Sequence, residues 1–177
     1  NRMEALCLAL NSVLEQTFLP LEIIVIDDCS DEPVKLTNYF TSNKVKCIRL
    51  SRNYGPGAAR NIGAREAQGD ILAFLDSDDI WDSRYLELSL QCYSNQNIGA
   101  TYAYAISIKD ARIVGQTPQR LRGNTTRALI LKNFIHTVSA FTVYKKLFFE
   151  LNGFREDIKQ CEDIDFYIRL SLKNDIG

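Results

Sequence analysis

The sequence predicts an α/β fold, a mostly parallel sheet flanked by helices, built as one domain. Three observations predict it. Short apolar, β-branched runs alternate with stretches of helical spacing, which is the signature of a parallel sheet with crossover helices. Three of the predicted strands end in polar clusters: Asp27-Asp28-Cys29-Ser30, Ser51-Arg52-Asn53 and Asp76-Ser77-Asp78-Asp79. The 177 residues, 46% hydrophobic and 24% charged, are enough for a single core. In parallel sheets ligands bind beyond the carboxyl ends of the strands, and parallel strands would bring all three clusters to one edge.

The elements follow in order. Met3, Leu6, Leu10, Val13 and Leu14 recur at helical spacing, and Gln16 to Pro20 end that helix. Glu22 to Asp27 (EIIVID) is a strand, Pro33 to Tyr39 can hold a helix, and Val45 to Leu50 is a second strand. Gly55-Pro56-Gly57 breaks the chain; Pro56 suits the first turn of a helix over Ala58 to Gln68, which Gly69 stops. Ile71 to Leu75 reads as a strand buried on both faces. A helix follows from about Ser83 to Tyr93, then Ala100 to Ile108 alternates like a half-exposed strand. Helices are expected at 126–133 and 145–151, with a strand near Val138 to Tyr144 between them and Gly153 ending the second. Glu162 to Lys173 is a helix with Ile164, Ile168 and Leu172 on one face.

Bulk properties narrow the function. A net charge of −1 argues against a general nucleic-acid binder. No apolar run reaches the roughly 18 residues of a membrane span. Cys7, Cys29, Cys47, Cys92 and Cys161 are odd in number and show no C-x-x-C, so they read as buried free thiols of a reducing compartment.

The richest stretch is ILAFLDSDDIW (71–81). Carboxylates crowded at a strand end repel one another and cost desolvation energy unless they are neutralised. Oxygen ligands select a hard cation, Mg²⁺ or Mn²⁺, and such ions bring phosphates with them. A solvated acidic turn capping the next helix is the plainer alternative.

Three blocks raise the odds: SVLEQTFLPLEIIVIDDCSDE (12–32), NYGPGAARNIGAREAQGDILAFLDSDD (53–79) and LNGFREDIKQCEDIDFYIRL (151–170). In this order and spacing the chain resembles the family 2 glycosyltransferases of the GT-A, Rossmann-like fold, from about Ala5 to Leu172. The resemblance implies a nucleotide-sugar donor (a UDP-sugar), a divalent metal and inversion at the anomeric carbon. It assigns about 1–80 to the nucleotide and about 81–177 to the acceptor. By it, Asp28 contacts the uracil, against a plain role as turn or N-cap carboxylate. Arg60 reaches the uracil or diphosphate, or is one more solvated helix arginine. Gly55 and Gly57 make a turn. Asp76-Ser77-Asp78 matches the D-x-D motif: Asp78 binds the metal, and Asp76 faces the ribose or metal-bound water. Asp79 caps the next helix, and Trp81 is packing. Glu162-Asp163 matches the base motif, with Asp163 the base and Glu162 second choice; the plainer reading is two acids favoured at a helix N-terminus. His136 touches a sugar or is a buried, hydrogen-bonded histidine. Phe148, Phe149 and Phe154 are core.

The acceptor expected from the resemblance is a saccharide or a lipid-linked oligosaccharide of a bacterial cell surface. The setting expected is cytoplasmic, with peripheral association at the inner face of the membrane. Gln-x-x-Arg-Trp, the mark of processive synthases, is absent, so single addition is expected. Members usually begin with a strand and a polar turn ahead of the first helix, whereas here Asn1 lies already in that helix. The expectation is therefore a domain truncated at its N-terminus and also at its C-terminus, with the absent strand belonging between 22–27 and 71–75. A non-catalytic nucleotide-binding fragment is the alternative. A sugar nucleotidyltransferase would want a Gly-rich, basic triphosphate loop near the start, and none is seen.

Overall fold

The structure is a computed structural model that describes residues 2–36, 44–94, 97–109, 112–116 and 121–177. Helix α1 (Arg2–Leu14) leads to strand β1 (Ile23–Asp27), which pairs in parallel with β2 (Val45–Arg49). Helix α2 (Pro56–Glu66) then crosses to β3 (Ile71–Ala73). After α3 (Tyr85–Cys92) come β4 (Ile98–Tyr102), β5 (Ile106–Lys109), β6 (Arg112–Gln116) and α4 (Thr126–Leu131). A 3₁₀ turn at Val138–Ala140 runs into β7 (Phe141–Tyr144) and α5 (Lys145–Glu150); α6 (Glu162–Ser171) and β8 (Asp175–Ile176) close the chain.

The α/β class holds, with a mixed sheet. The order β3-β7-β4-β8 joins β7 antiparallel to both β3 and β4, and β8 parallel to β4. Strands β5 and β6 form a separate antiparallel hairpin. The predicted strand at 100–108 is thus two strands in two sheets. Its first half is buried at Ala100 and Thr101, and its second half is exposed throughout. The main core gathers Phe141, Phe148, Phe154, Phe166 and Tyr167, all within 1% of full burial, with Val143 and Leu170. Phe148 and Phe154 are core as expected, but Phe149 is 38% exposed. Trp81 packs on Tyr85 at 4.6 Å between ring centres.

Several local readings change. Residues 33–36 are irregular, and the rest of the helix expected at 33–39 lies outside the described residues. Helix α2 ends at Glu66 with Ala67 as its cap, ahead of Gly69. On α6 the buried face is Phe166, Tyr167 and Leu170, whereas Leu172 is exposed beyond the helix end. The cysteines are free thiols but not buried; Cys47 and Cys161 are exposed.

Strand β3 is shorter than expected and open rather than buried on both faces, because β1 and β3 do not pair. Among the described residues, strand β1 bonds only to β2, and β3 only to β7. Between their facing edges lies a cavity of about 520 Å³, lined by Ile23 to Ile26 on one side and Ile71 to Leu75 on the other. Leu6, Leu10 and Val13 of α1 reach it from one layer, Ala59 and Gly63 of α2 from the other.

Asp27 anchors the carboxyl end of β1. It is 2% exposed and accepts from the Ser30 N–H at 2.8 Å, the Val34 N–H at 3.1 Å and Arg49 Nη1 at 2.5 Å. Burial alone would raise its pKa; those donors outweigh it and hold the group at about 2. The unfolded chain holds this proton more tightly, near 3.9. The stabilisation, about 2 kcal/mol, is therefore complete above about pH 4 and is lost as pH falls through about 2. Asp27→Asn is expected to remove it at neutral pH and to flatten stability between those limits. Urea denaturation across pH is the check; an unchanged acid limb would rule out this carboxylate as its source.

Candidate active site

Each acidic group is placed by a strand end or a helix start. Asp28 follows β1, and both its oxygens are engaged: the backbone N–H groups of Tyr54 and Gly55 donate to them at 2.8 Å each. It thereby fixes the turn that launches α2. Gly55 takes φ +91 there, a conformation that favours glycine, and Pro56 begins the helix. These are the contacts of a turn carboxylate.

The turn after β3 carries Asp76, Ser77, Asp78 and Asp79. It is closed by the Asp79 N–H on the Asp76 carbonyl at 3.1 Å. The segment before β7 pins it: the Asp76 N–H donates to Ser139 Oγ at 2.9 Å, and Thr137 Oγ1 donates to Asp79 Oδ2 at 3.3 Å. Trp81 Nε1 donates to the Ser139 carbonyl at 2.6 Å. Asp79 is therefore tied to Thr137 and does not cap α3; that helix starts after Asp82, whose carboxylate accepts the Arg84 N–H at 3.0 Å. Ser139 is a site residue that the sequence did not announce, since a lone serine in an apolar run carries no signal. His136 is exposed with φ +66, so the buried-histidine reading fails.

Helix α6 brings the second acid pair. Cys161, at φ +64 with an exposed thiol, turns the chain into the helix, and Glu162 and Asp163 open it. Glu162 is 7% exposed. Asp163 is half-buried, and burial raises its pKa; the Ile164 N–H at 2.8 Å lowers it, the Glu162 charge raises it and the Arg60 charge lowers it, with a net rise. A carboxylate of raised pKa is the better proton acceptor.

Arg60 joins the two acid groups. Its Nη2 lies 2.7 Å from Asp76 Oδ1 and its Nη1 2.8 Å from Glu162 Oε1, so D-x-D turn and base motif meet on one guanidinium. Asn61 locks the neighbouring loop, donating to the Phe154 carbonyl at 2.8 Å and accepting the Phe154 N–H at 2.9 Å. Gly57 matters for the same closeness: a Cβ there would lie 3.2 Å from Glu162 Cγ.

Does the site suit a divalent cation? Among the described residues no three Asp, Glu, His or Cys side chains converge as a protein-only cage. Mg²⁺ and Mn²⁺ in phosphate sites need less, one or two carboxylates with the substrate's phosphates completing the shell. Asp78 fits: it is exposed, with no hydrogen bond or ion pair among the described residues. Asp76 stands two residues away with one oxygen on Arg60.

A family profile described as Glycosyl transferase family 2 matches residues 1–151. An uncharacterized glycosyltransferase of Haemophilus influenzae is 31% identical over 173 residues, 96% of this chain and 58% of that protein. WfgD of Escherichia coli, a UDP-Glc:alpha-D-GlcNAc-diphosphoundecaprenol beta-1,3-glucosyltransferase, is 32% identical over 136 residues, 75% of this chain and 52% of that protein. The structure of S. aureus TarS 1-349 in complex with UDP superposes with a TM-score of 0.74 at 25% identity, covering 100% of this chain and 55% of that one. The chain thus spans little more than half the length of these relatives. No helix among the described residues is long and apolar enough to cross a membrane. On its sequence and its fold, the chain belongs to glycosyl transferase family 2.

Proposed function

We propose that this chain carries the donor and base sites of an inverting, metal-dependent glycosyltransferase. It moves a sugar from a UDP-sugar to a hydroxyl of a saccharide or lipid-linked acceptor in cell-surface polysaccharide synthesis. The observation that carries this reading is the meeting of Asp76 and Glu162 on Arg60, with Asp78 and Asp163 beside them. The complex of TarS with UDP and the lipid-linked acceptor named for WfgD support the choice of donor and acceptor class.

Residues 1–80 hold the nucleotide and 81–177 serve the acceptor. Asp28 fixes the turn at 54–55 and contacts the uracil, Asp76 faces the ribose or metal-bound water, and Asp78 would be the principal ligand of Mn²⁺ or Mg²⁺. Bound there, the cation would supply positive charge against the charge that develops on departing UDP. Asp163 takes the proton from the acceptor hydroxyl on the side of the sugar opposite the leaving group, which inverts the anomeric centre. Glu162 is held by Arg60 and Asp163 is not, so Asp163 is the one free to accept a proton. With a lipid-linked acceptor the work takes place at the inner, cytoplasmic face of a membrane, by peripheral association.

Asp78→Ala is expected to weaken Mn²⁺-dependent UDP binding more than about tenfold, roughly 1.4 kcal/mol. Calorimetry of UDP with and without Mn²⁺ reads this directly. Equal affinity in wild type and variant would sink the metal assignment.

A further inference from the structure

We propose that Arg60 is a positioning residue that acts through Asp76 and Glu162, and is not a ligand of the nucleotide. The inference rests on the reading above only in taking these two carboxylates as parts of the site.

The guanidinium is already committed. One arm is 2.8 Å from Glu162 Oε1, the other 2.7 Å from Asp76 Oδ1, and the group lies 5.8 Å from the centre of the Phe154 ring. Its side chain is only 17% exposed. A rigid planar fork that bonds two separate carboxylates fixes their relative position, which a flexible point charge does not. The partners are 16 and 102 residues away in sequence, so Arg60 fastens the end of β3 to the start of α6. Gly57, one turn earlier on α2, leaves room for the same side chain, since a Cβ there would lie 3.2 Å from Glu162 Cγ. Charge gives the second strand of the argument. Asp76 and Asp78 stand two residues apart, Glu162 and Asp163 are adjacent, and Arg60 is the cation paired with this group among the described residues. Taking it away leaves carboxylates that must find another positive partner.

The test uses the chain as it stands, with UDP and Mn²⁺ as probes. Calorimetry measures UDP at saturating Mn²⁺, and electron paramagnetic resonance measures Mn²⁺ alone. For Arg60→Met, UDP affinity is expected to stay within about threefold, while Mn²⁺ alone binds at least about threefold tighter. Arg60→Met combined with Glu162→Gln should return Mn²⁺ affinity toward wild type, because one of the released carboxylates is gone. A role confined to folding would not tighten cation binding. The proposal is overturned if Arg60→Met loses about tenfold or more in UDP affinity with Mn²⁺ binding unchanged, which is the signature of a direct diphosphate or uracil contact. Should that variant not fold, Arg60→Lys decides. It keeps the positive charge beside the carboxylates but gives up the fork: if Arg60 is not a ligand of the nucleotide, UDP affinity stays within about threefold, whereas a fork reading the diphosphate predicts a loss of about tenfold. A wild-type chain that binds no UDP counts against the functional reading, and the Mn²⁺ measurements then still settle the role of Arg60.

Discussion

Replacing Asp163 by asparagine should lower turnover by about 10²-fold or more while leaving UDP binding near normal. The two carboxylates at the start of α6 are not equivalent. Glu162 is almost fully buried, with one oxygen on Arg60, and so is spent on structure. Among the described residues the donors to Asp163 are backbone N–H groups at the start of its own helix, and its pKa is raised by burial. Asparagine keeps the shape and the contact with Ile164 but cannot take a proton. The same raised pKa fixes the sense of the pH dependence: the base works ionised, so the acid limb of the rate profile should lie above the ordinary carboxylate value and should vanish in the variant. If Asp163→Asn keeps wild-type rate while Glu162→Gln abolishes it, the assignment of the pair is reversed.

The second large effect is expected in stability. The facing edges of β1 and β3 flank a cavity of about 520 Å³ that is lined along both strands by backbone and apolar side chains. A form of the chain carrying an extended apolar segment ahead of Asn1 should fill it and pair with both edges. Helix α1 would then be the crossover from that strand to β1, the connection that parallel neighbours require. Some five ladder bonds at about 1 kcal/mol each amount to several kcal/mol, against a total stability of about 5–15 kcal/mol. At roughly 2–4 °C per kcal/mol, the melting temperature should rise by at least about 10 °C. Amide exchange at Ile24, Val25 and Leu72 should slow in step. Equal melting and equal exchange in the two forms would mean that the cavity is not a strand slot.

The parts legible in the sequence were those with a local physical signal. The β-branched run 22–27, Pro56 at the start of α2 and the helix opened by Glu162-Asp163 each depend on neighbours within a few residues, and each is found where expected. The D-x-D turn and the base motif were visible as residue types, but their junction was not. The partners of Arg60 lie far along the chain, and nothing in an arginine's surroundings names them. Asp79 departs from its local signal for the same reason: a cap is a local rule, and Thr137 overrides it from 58 residues away. The stretch 100–108 alternates well enough for one strand, and only the tertiary pairing divides it between two sheets. Leu172 fits the spacing of the α6 apolar face, but the helix stops at Ser171 and the side chain swings out.

Cys161, exposed at the left-handed turn into α6, gives the protein a native place for a reporter. Thiolates, not thiols, react with maleimides and iodoacetamides. The other exposed cysteine, Cys47, is held toward its protonated form by burial around its sulfur and by the charge of Asp27. Mild alkylation near neutral pH should therefore spare Cys47. A fluorophore or spin label placed on Cys161 would sit one residue from Glu162 and two from Asp163. Movement of the α6 start could then be followed optically in the unaltered sequence.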